Sequence, residues 1–413
     1  MTQPIQSSST RGKPLDEERG GFVPDTEIMS EHGAVEITDL EPGNRIYALD
    51  PLTGIAKLKP VTHISSRQYH GRVYDISARR IALRVAPGHP ILYETQSKCP
   101  PRFRPANQLS EYEENILIND WETVPRKAPD EIDVTDFLDE FEVCVSYDCH
   151  GHTFRAALPD GCEPIGRNQW VGYRFDAATF KRYQAAIEEL GTGVWIRDGT
   201  SHWRMPYRFQ LEDFVQFIGW YVTEGSVTWK KNRDTAEIQI AQKKAENREK
   251  IGALLDRMGL EHDRQEKSFK FGSKLYGRLM EGLGGTDCRD KHLPDFVWEL
   301  PTEHQQLLLQ TLLDGDGNER QTYYTTSDKL ARDVCRLCTE LGIKPRHAWR
   351  ERSWGTPIWE IYISRTQDQL FYSSQVSELL SSGPVFRLTV RDYPAVLAGR
   401  NGRFQWIGAN AVS

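Results

Sequence analysis

Apolar residues recur at helical spacing in two stretches of this chain, and in both the pattern stops at an acid followed by glycine. The first is Phe217-Ile-Gly-Trp-Tyr-Val-Thr-Glu-Gly225 and the second is Leu309-Gln-Thr-Leu-Leu-Asp-Gly-Asp-Gly317. In the first, Phe214, Phe217, Ile218, Tyr221 and Val222 make one stripe, which predicts a helix over 212–223. Gly219 within it costs about 1 kcal/mol relative to alanine, so its presence points to close approach by a partner helix. The second opens with Thr302-Glu-His-Gln305, a capping-box pattern, and turns Leu308, Leu309, Leu312 and Leu313 inward over 303–313.

Each helix begins a longer repeat. The first copy continues through a strand over 236–241 into a helix over 246–259; the second continues through 321–326 into a helix over 328–342. Gly259 and Gly342 supply the C-terminal stops. Duplication of this kind predicts a pseudo-twofold and suits a partner that is itself nearly twofold symmetric.

On either side the period changes from helical to two. Gly71–Ser77 and Arg80–Ala86 alternate apolar and polar residues, and a Pro-Gly turn divides 36–50. The tail has strand patterns over 385–390 and 404–407 with Asn401-Gly402 as a hairpin turn. An all-β head and tail around an α+β middle point to one β domain interrupted by an insertion. Residues 1–20 are polar, lack an apolar segment, and read as a disordered leader.

Composition narrows the class. A chain of 413 residues suits about two or three domains, and 38% hydrophobic with 27% charged residues describes a water-soluble protein. No apolar run approaches the roughly 18 residues that cross a bilayer, so no membrane partner and a cytoplasmic location are expected. Seven scattered cysteines fit a reducing compartment. Cys335 and Cys338 share a helical face with Leu330, Val334 and Leu341 and read as small buried hydrophobes. Cys144, Cys149, His150, His152 and Cys162 match no standard zinc spacing and read as a loop and strand cluster, with a metal site as the alternative.

The net charge of −7 opposes nucleic-acid binding only if charge is evenly spread, and it is not. Acids dominate 108–142, whereas bases dominate 229–274, including Lys230, Lys231, Arg233, Lys243 and Lys244. A second basic and aromatic run holds Lys344, Arg346, His347, Trp349, Arg350, Arg352 and Trp354. Each basic run follows one of the acidic helix ends.

A carboxylate at a helix C-terminus is disfavoured by the helix dipole, and two held together repel unless a cation lies between them. Glu224 and Asp316 are therefore costly as structure alone and sensible as ligands of Mg²⁺ or Mn²⁺, with water and DNA phosphate completing an oxygen shell. Either acid by itself reads as an ordinary residue at a helix end.

The two helices resemble the paired motifs of the LAGLIDADG, or DOD-type, homing endonucleases, with Glu224 and Asp316 on the metal-binding acidic positions. The resemblance covers roughly 133–372. It implies a duplicated αββαββα domain over 131–375, with halves at about 205–297 and 300–372, whose strands lie on double-stranded DNA while the acids cut both strands. Lys291-His-Leu-Pro294 matches the family's Lys-x-x-Pro element and makes Lys291 a catalytic candidate; by itself it reads as a surface lysine. Gln310 and Thr311 replace the family's small packing residues, which implies a looser helix seam.

Head (21–125) and tail (382–413) resemble the Hint domain of inteins. Gly21 stands at the position of the nucleophile, and Ala86-Pro-Gly-His89 looks like the Thr-x-x-His block without its threonine. Arg387 and Pro394 replace the usual Asp and His of a later block, and Asn410 matches the cyclising asparagine. Glycine and alanine offer no acyl-transfer nucleophile, so splicing is expected to be lost.

The expectation is thus an α+β chain: a LAGLIDADG endonuclease inserted in a Hint-like β domain. It is expected to act as an intein-derived, freestanding, metal-dependent DNA endonuclease, with Met1 suiting a freestanding gene and both motifs in one chain suiting a monomer. The candidate DNA contacts are Lys230, Lys231, Arg233, Lys243, Lys244, Arg346, Arg350 and Arg352. The alternatives are a DNA-binding protein with an inactive nuclease and a self-processing Hint protein.

Overall fold

The computed structural model describes residues 20–94, 101–111, 114–116, 121–168, 172–197, 205–230, 235–353, 355–363 and 370–409. Most of the leader, Lys231, Arg233, Trp354 and Asn410 lie outside the described residues. The chain mixes helices and many strands and divides into two compact units. One comprises Met1–Val124, Ala331–Arg350 and Glu360–Ser413; the other comprises Pro125–Leu330 and Glu351–Trp359. No described helix is long and apolar enough to cross a membrane.

In the second unit, helices α1 (Gly151–Ala157) and α2 (Ala177–Leu190) accompany a four-stranded sheet. Its strand order is Gly166–Asn168, Gly172–Asp176, Glu142–Ser146, Gly193–Arg197. This module falls within 131–375 but outside both of the halves expected from the sequence. Cys144 and Cys162 are buried, Cys149 is exposed, and no group of three or more metal-type ligands occurs among the described residues.

The first repeat follows. Helix α3 (Leu211–Glu224) runs into strands Gly225–Lys230 and Thr235–Ala241, then α4 (Ala245–Arg257), strands Asp263–Arg264 and Ser268–Gly272, and α5 (Lys274–Gly284). That is one αββαββα unit, with Gly259 in the left-handed conformation (φ +64°) where α4 stops. Phe214, Phe217, Ile218, Trp220, Tyr221 and Val222 of α3 are all buried. The stripe read from periodicity is therefore wider than one face, as suits a central helix.

The second repeat comprises α6 (Thr302–Asp316), strand Thr322–Thr325, α7 (Asp328–Glu340) and strands Pro345–Arg350 and Ile358–Ile363. Its first strand is reduced to a bridge between Gly317 and Tyr323. The capping box at its start is not made. Pro301 is the N-cap, Thr302 is already helical, and Gln305 donates to the Val297 carbonyl at 3.0 Å. Proline pre-sets the helix entry, which leaves the threonine no capping role.

The other unit is a β structure in which head and tail share one core: Phe22, Ile28, Ile46, Ile76, Leu83 and Val85 pack with Leu388, Val396 and Ile407. Strand Ile55–Ala78 pairs along much of its length with Val376–Val390. The tail hairpin turns at Asn401-Gly402 (φ +52° and +68°) between Ala395–Arg400 and Arg403–Gly408. Part of the second repeat belongs to this unit. Strand Pro345–Arg350 pairs with Arg403–Gly408 through Arg346 and Arg403. In α7, Glu340 accepts from Tyr47 Oη, and the Thr339 and Glu340 carbonyls accept from Trp121 Nε1 (3.0 Å) and Thr123 Oγ1 (2.7 Å).

Candidate active site

Helices α3 and α6 abut through glycines that face threonines. A β-carbon on Gly219 would stand 2.8 Å from Thr311 Cγ2, and one on Gly315 would stand 2.7 Å from Thr223 Oγ1. Both threonine hydroxyls bond back to their own helix: Thr311 to the Leu307 carbonyl (2.9 Å) and Thr223 to the Gly219 carbonyl (3.0 Å). The Thr311 methyl thus fills the space that Gly219 leaves, and the seam at Thr311 is tight where a loose one was expected. Gly225 and Gly317 are extended (φ −89° and −93°), not left-handed caps. A β-carbon there would press on the Tyr221 and Leu313 carbonyls at 2.5 and 2.4 Å, so glycine lets each helix turn directly into extended chain.

This seam brings together the acids that end α3 and α6. Burial pushes the Asp316 carboxyl up to about 7; the Glu224 charge adds to the shift and Lys244 opposes it. Glu224 is likewise raised by burial, against the lowering effects of Gln242, Lys244 and Lys243. The buried Tyr323 phenol is raised by burial and by the charges of both acids, and its Oη has no hydrogen-bond partner among the described residues. The two carboxylates therefore share one partly desolvated site with a tyrosine and the exposed Lys243 and Lys244 at its edge.

Gln242 was not singled out in the sequence, yet it organises the site. Its Nε2 donates to Glu224 Oε1 at 3.0 Å, and its Oε1 accepts from the backbone N–H groups of Lys243 (3.0 Å) and Lys244 (2.9 Å). The one available signal was a polar residue between a strand and two lysines.

Lys291 is not a surface residue: it is 2% exposed. Its Nζ lies 3.6 Å from the Tyr221 ring centroid and donates to the Gly285 carbonyl at 3.4 Å. Burial lowers it to about 7, and the charges acting on it are those of Asp290, Asp287 and Cys288 rather than the acid pair. Tyr221 lies one helical turn before Glu224, so Lys291 packs behind the end of α3.

Among the candidate DNA contacts, Lys230 is exposed and paired with Glu237 at 3.3 Å. Arg346 stacks on Tyr362 at 4.5 Å, Arg350 pairs with Glu360 at 3.2 Å, and Arg352 is exposed. Two members of the second basic run turn inward: Lys344 donates to Gln405 at 3.0 Å, and burial lowers His347 to about 4.

In the β unit, the splicing-type positions also converge. Gly21 is buried, its carbonyl accepts from Ala86 N–H at 2.9 Å, and Arg387 Nε donates to the Gly20 carbonyl at 2.8 Å. His89 is fully buried, edge-on to Phe22 at 4.3 Å. Burial lowers its pKa to about 3, against a raising effect of the Gly408 backbone.

Residues 213–283 match the family model of the LAGLIDADG-like domain. The LAGLIDADG-like segment runs from α3 through α4 into α5. The chain is 21% identical over 325 residues to the ATP-dependent Clp protease proteolytic subunit of Chlamydomonas moewusii, covering 77% of this chain and 27% of that protein. It is 32% identical over 110 residues to a DNA gyrase subunit of Mycobacterium gordonae, covering 24% and 19%. It is 23% identical over 218 residues to a DNA polymerase of Thermococcus hydrothermalis, covering 48% and 13%. The chain thus spans about a quarter or less of the length of these curated relatives. Among solved structures, I-DmoI in complex with DNA and Ca is similar at 13% identity and a TM-score of 0.28, covering 38% of this chain and 84% of that one. A bacterial intein-like domain from Clostridium thermocellum is similar at 20% identity and a TM-score of 0.21, covering 24% and 65%.

Proposed function

We propose that this chain is a divalent-metal-dependent, site-specific DNA endonuclease of the LAGLIDADG homing type, carried within a splicing-type β domain that no longer splices. The observation that carries this reading is the meeting of Glu224 and Asp316 at the ends of two abutting helices, close enough for one charge to raise the other's pKa.

The pair fits a hard cation. Its donors are carboxylate oxygens whose mutual repulsion a cation reverses, and the orphaned Tyr323 Oη lies within reach of both charges. Two protein carboxylates leave the remaining positions to water and phosphate oxygens, the pattern Mg²⁺ favours. When bound, Mg²⁺ or Mn²⁺ supplies Lewis-acid activation of water and stabilises the departing 3′-oxygen. Glu224 and Asp316 hold it, Gln242 keeps Glu224 oriented, and Lys243 and Lys244 draw the phosphate backbone to the acids. Lys291 supports α3 through Tyr221 in this reading.

In the β domain, Gly21 provides no side chain to start acyl transfer, and Ala86 provides no hydroxyl beside His89. The matched relatives are named for a protease, a gyrase and a polymerase. Parts of this chain are thus similar to parts of proteins with unrelated names, which supports a mobile-element origin.

The test is cleavage of a randomised duplex pool with Mg²⁺ and with chelator. Glu224→Gln and Asp316→Asn should each abolish cutting and keep salt-sensitive binding; retained cutting by either variant overturns the assignment. The intact mass of the purified chain should stay unchanged, and cleavage near Gly21 or Asn410 would overturn the loss of splicing.

A further inference from the structure

We propose that Glu237, flanked by Lys230 and Lys270, reads the identity of one base pair in the DNA. This assignment rests on the DNA-binding role proposed above and adds the residue that sets sequence preference.

The strands Gly225–Lys230, Thr235–Ala241, Ser268–Gly272 and Asp263–Arg264 form an antiparallel sheet in that order. Register places Thr228, Glu237 and Gly272 in one row and Ser226, Gln239 and Lys270 in the next. Directly paired residues point to the same face, and the intervening Val227, Ile238, Phe271, Ile240 and Phe269 are buried. The opposite face is therefore polar and open. It borders a groove of about 660 Å³ lined by Lys230, Glu237, Asp263 and Lys270 among others.

At its centre, Glu237 Oε1 accepts from Lys270 Nζ (3.1 Å) and Oε2 accepts from Lys230 Nζ (3.3 Å). The carboxylate side chain is 29% exposed, so it keeps lone pairs open to the groove, and each ammonium has further donors. An acid in the middle of a surface laid against a polyanion weakens non-specific binding. Base-edge chemistry gives it a use. In the major groove, cytosine presents its N4 amino donor to a carboxylate, and the paired guanine presents O6 and N7 acceptors to a lysine. The carboxylate and one of the ammonium groups side by side match a C·G pair, and the second ammonium is left to hold the carboxylate in place.

The test recovers bound duplexes from a randomised pool, and in parallel the ends cut with Mg²⁺, for the wild type, Glu237→Ala and Glu237→Gln. The wild type should require C·G at one position. Glu237→Ala should relax that position by about tenfold or more and leave the others intact, and Glu237→Gln should move it towards adenine. Unchanged preference at every position in both variants, with only a uniform rise in affinity, overturns the proposal. A wild type that selects C·G but never cuts sustains this inference and overturns the nuclease assignment; one that selects no sequence overturns both.

Discussion

Gln242 clamps Glu224 by donating its side-chain amide to Oε1 at 3.0 Å while its own carbonyl is held by the N–H groups of Lys243 and Lys244. A hydrogen bond to the ionised carboxylate favours ionisation, and burial opposes it. Gln242→Met should raise the Glu224 pKa further and move the acid limb of the cleavage–pH profile upward, with about tenfold loss of rate near neutrality. An unchanged limb in the variant would mean that the clamp does not act on catalysis.

The Gly219–Thr311 contact sets the spacing of α3 and α6. Alanine at 219 gains about 1 kcal/mol of helix propensity but meets Thr311 at 2.8 Å, and overpacking of this kind costs about 1–3 kcal/mol. Gly219→Ala should therefore lower the thermal midpoint, and Thr311→Gly in the same chain should recover part of the loss. Calorimetry that shows Gly219→Ala to be stabilising would refute the tight seam.

His89 should make stability fall with acid. Its folded pKa of about 3 lies below the ordinary 6.5, so between these values the unfolded chain binds the extra proton. Its contribution is full above about pH 6.5 and is lost as pH falls towards 3, on the order of a few kcal/mol in all. Urea titrations across that window should give a flatter pH dependence for His89→Phe than for the wild type; parallel curves would show that His89 is not the titrating group.

The acidic helices, their glycine punctuation and the tail hairpin were legible because each depends on neighbours within a few residues. A 3.6-residue apolar stripe builds α3, and Asn401-Gly402 can take positive φ without help from elsewhere. The capping box at Thr302 misled because the preceding proline already sets the entry to α6. The burial of Lys291 was not legible because the Tyr221 ring it packs against stands on α3, distant in the chain.

The amino-acid sequence alone determined where α3 and α6 run, where each stops and which carboxylates stand at their ends, since periodicity and helix termination are local. Only the tertiary structure decided that Gln242 orients Glu224, that Glu237 gathers two lysines on an open sheet face, and that Pro345–Arg350 pairs with the tail strand. These outcomes depend on strand register and on desolvation by segments distant in the chain. Neither leaves a periodic trace in the order of the residues.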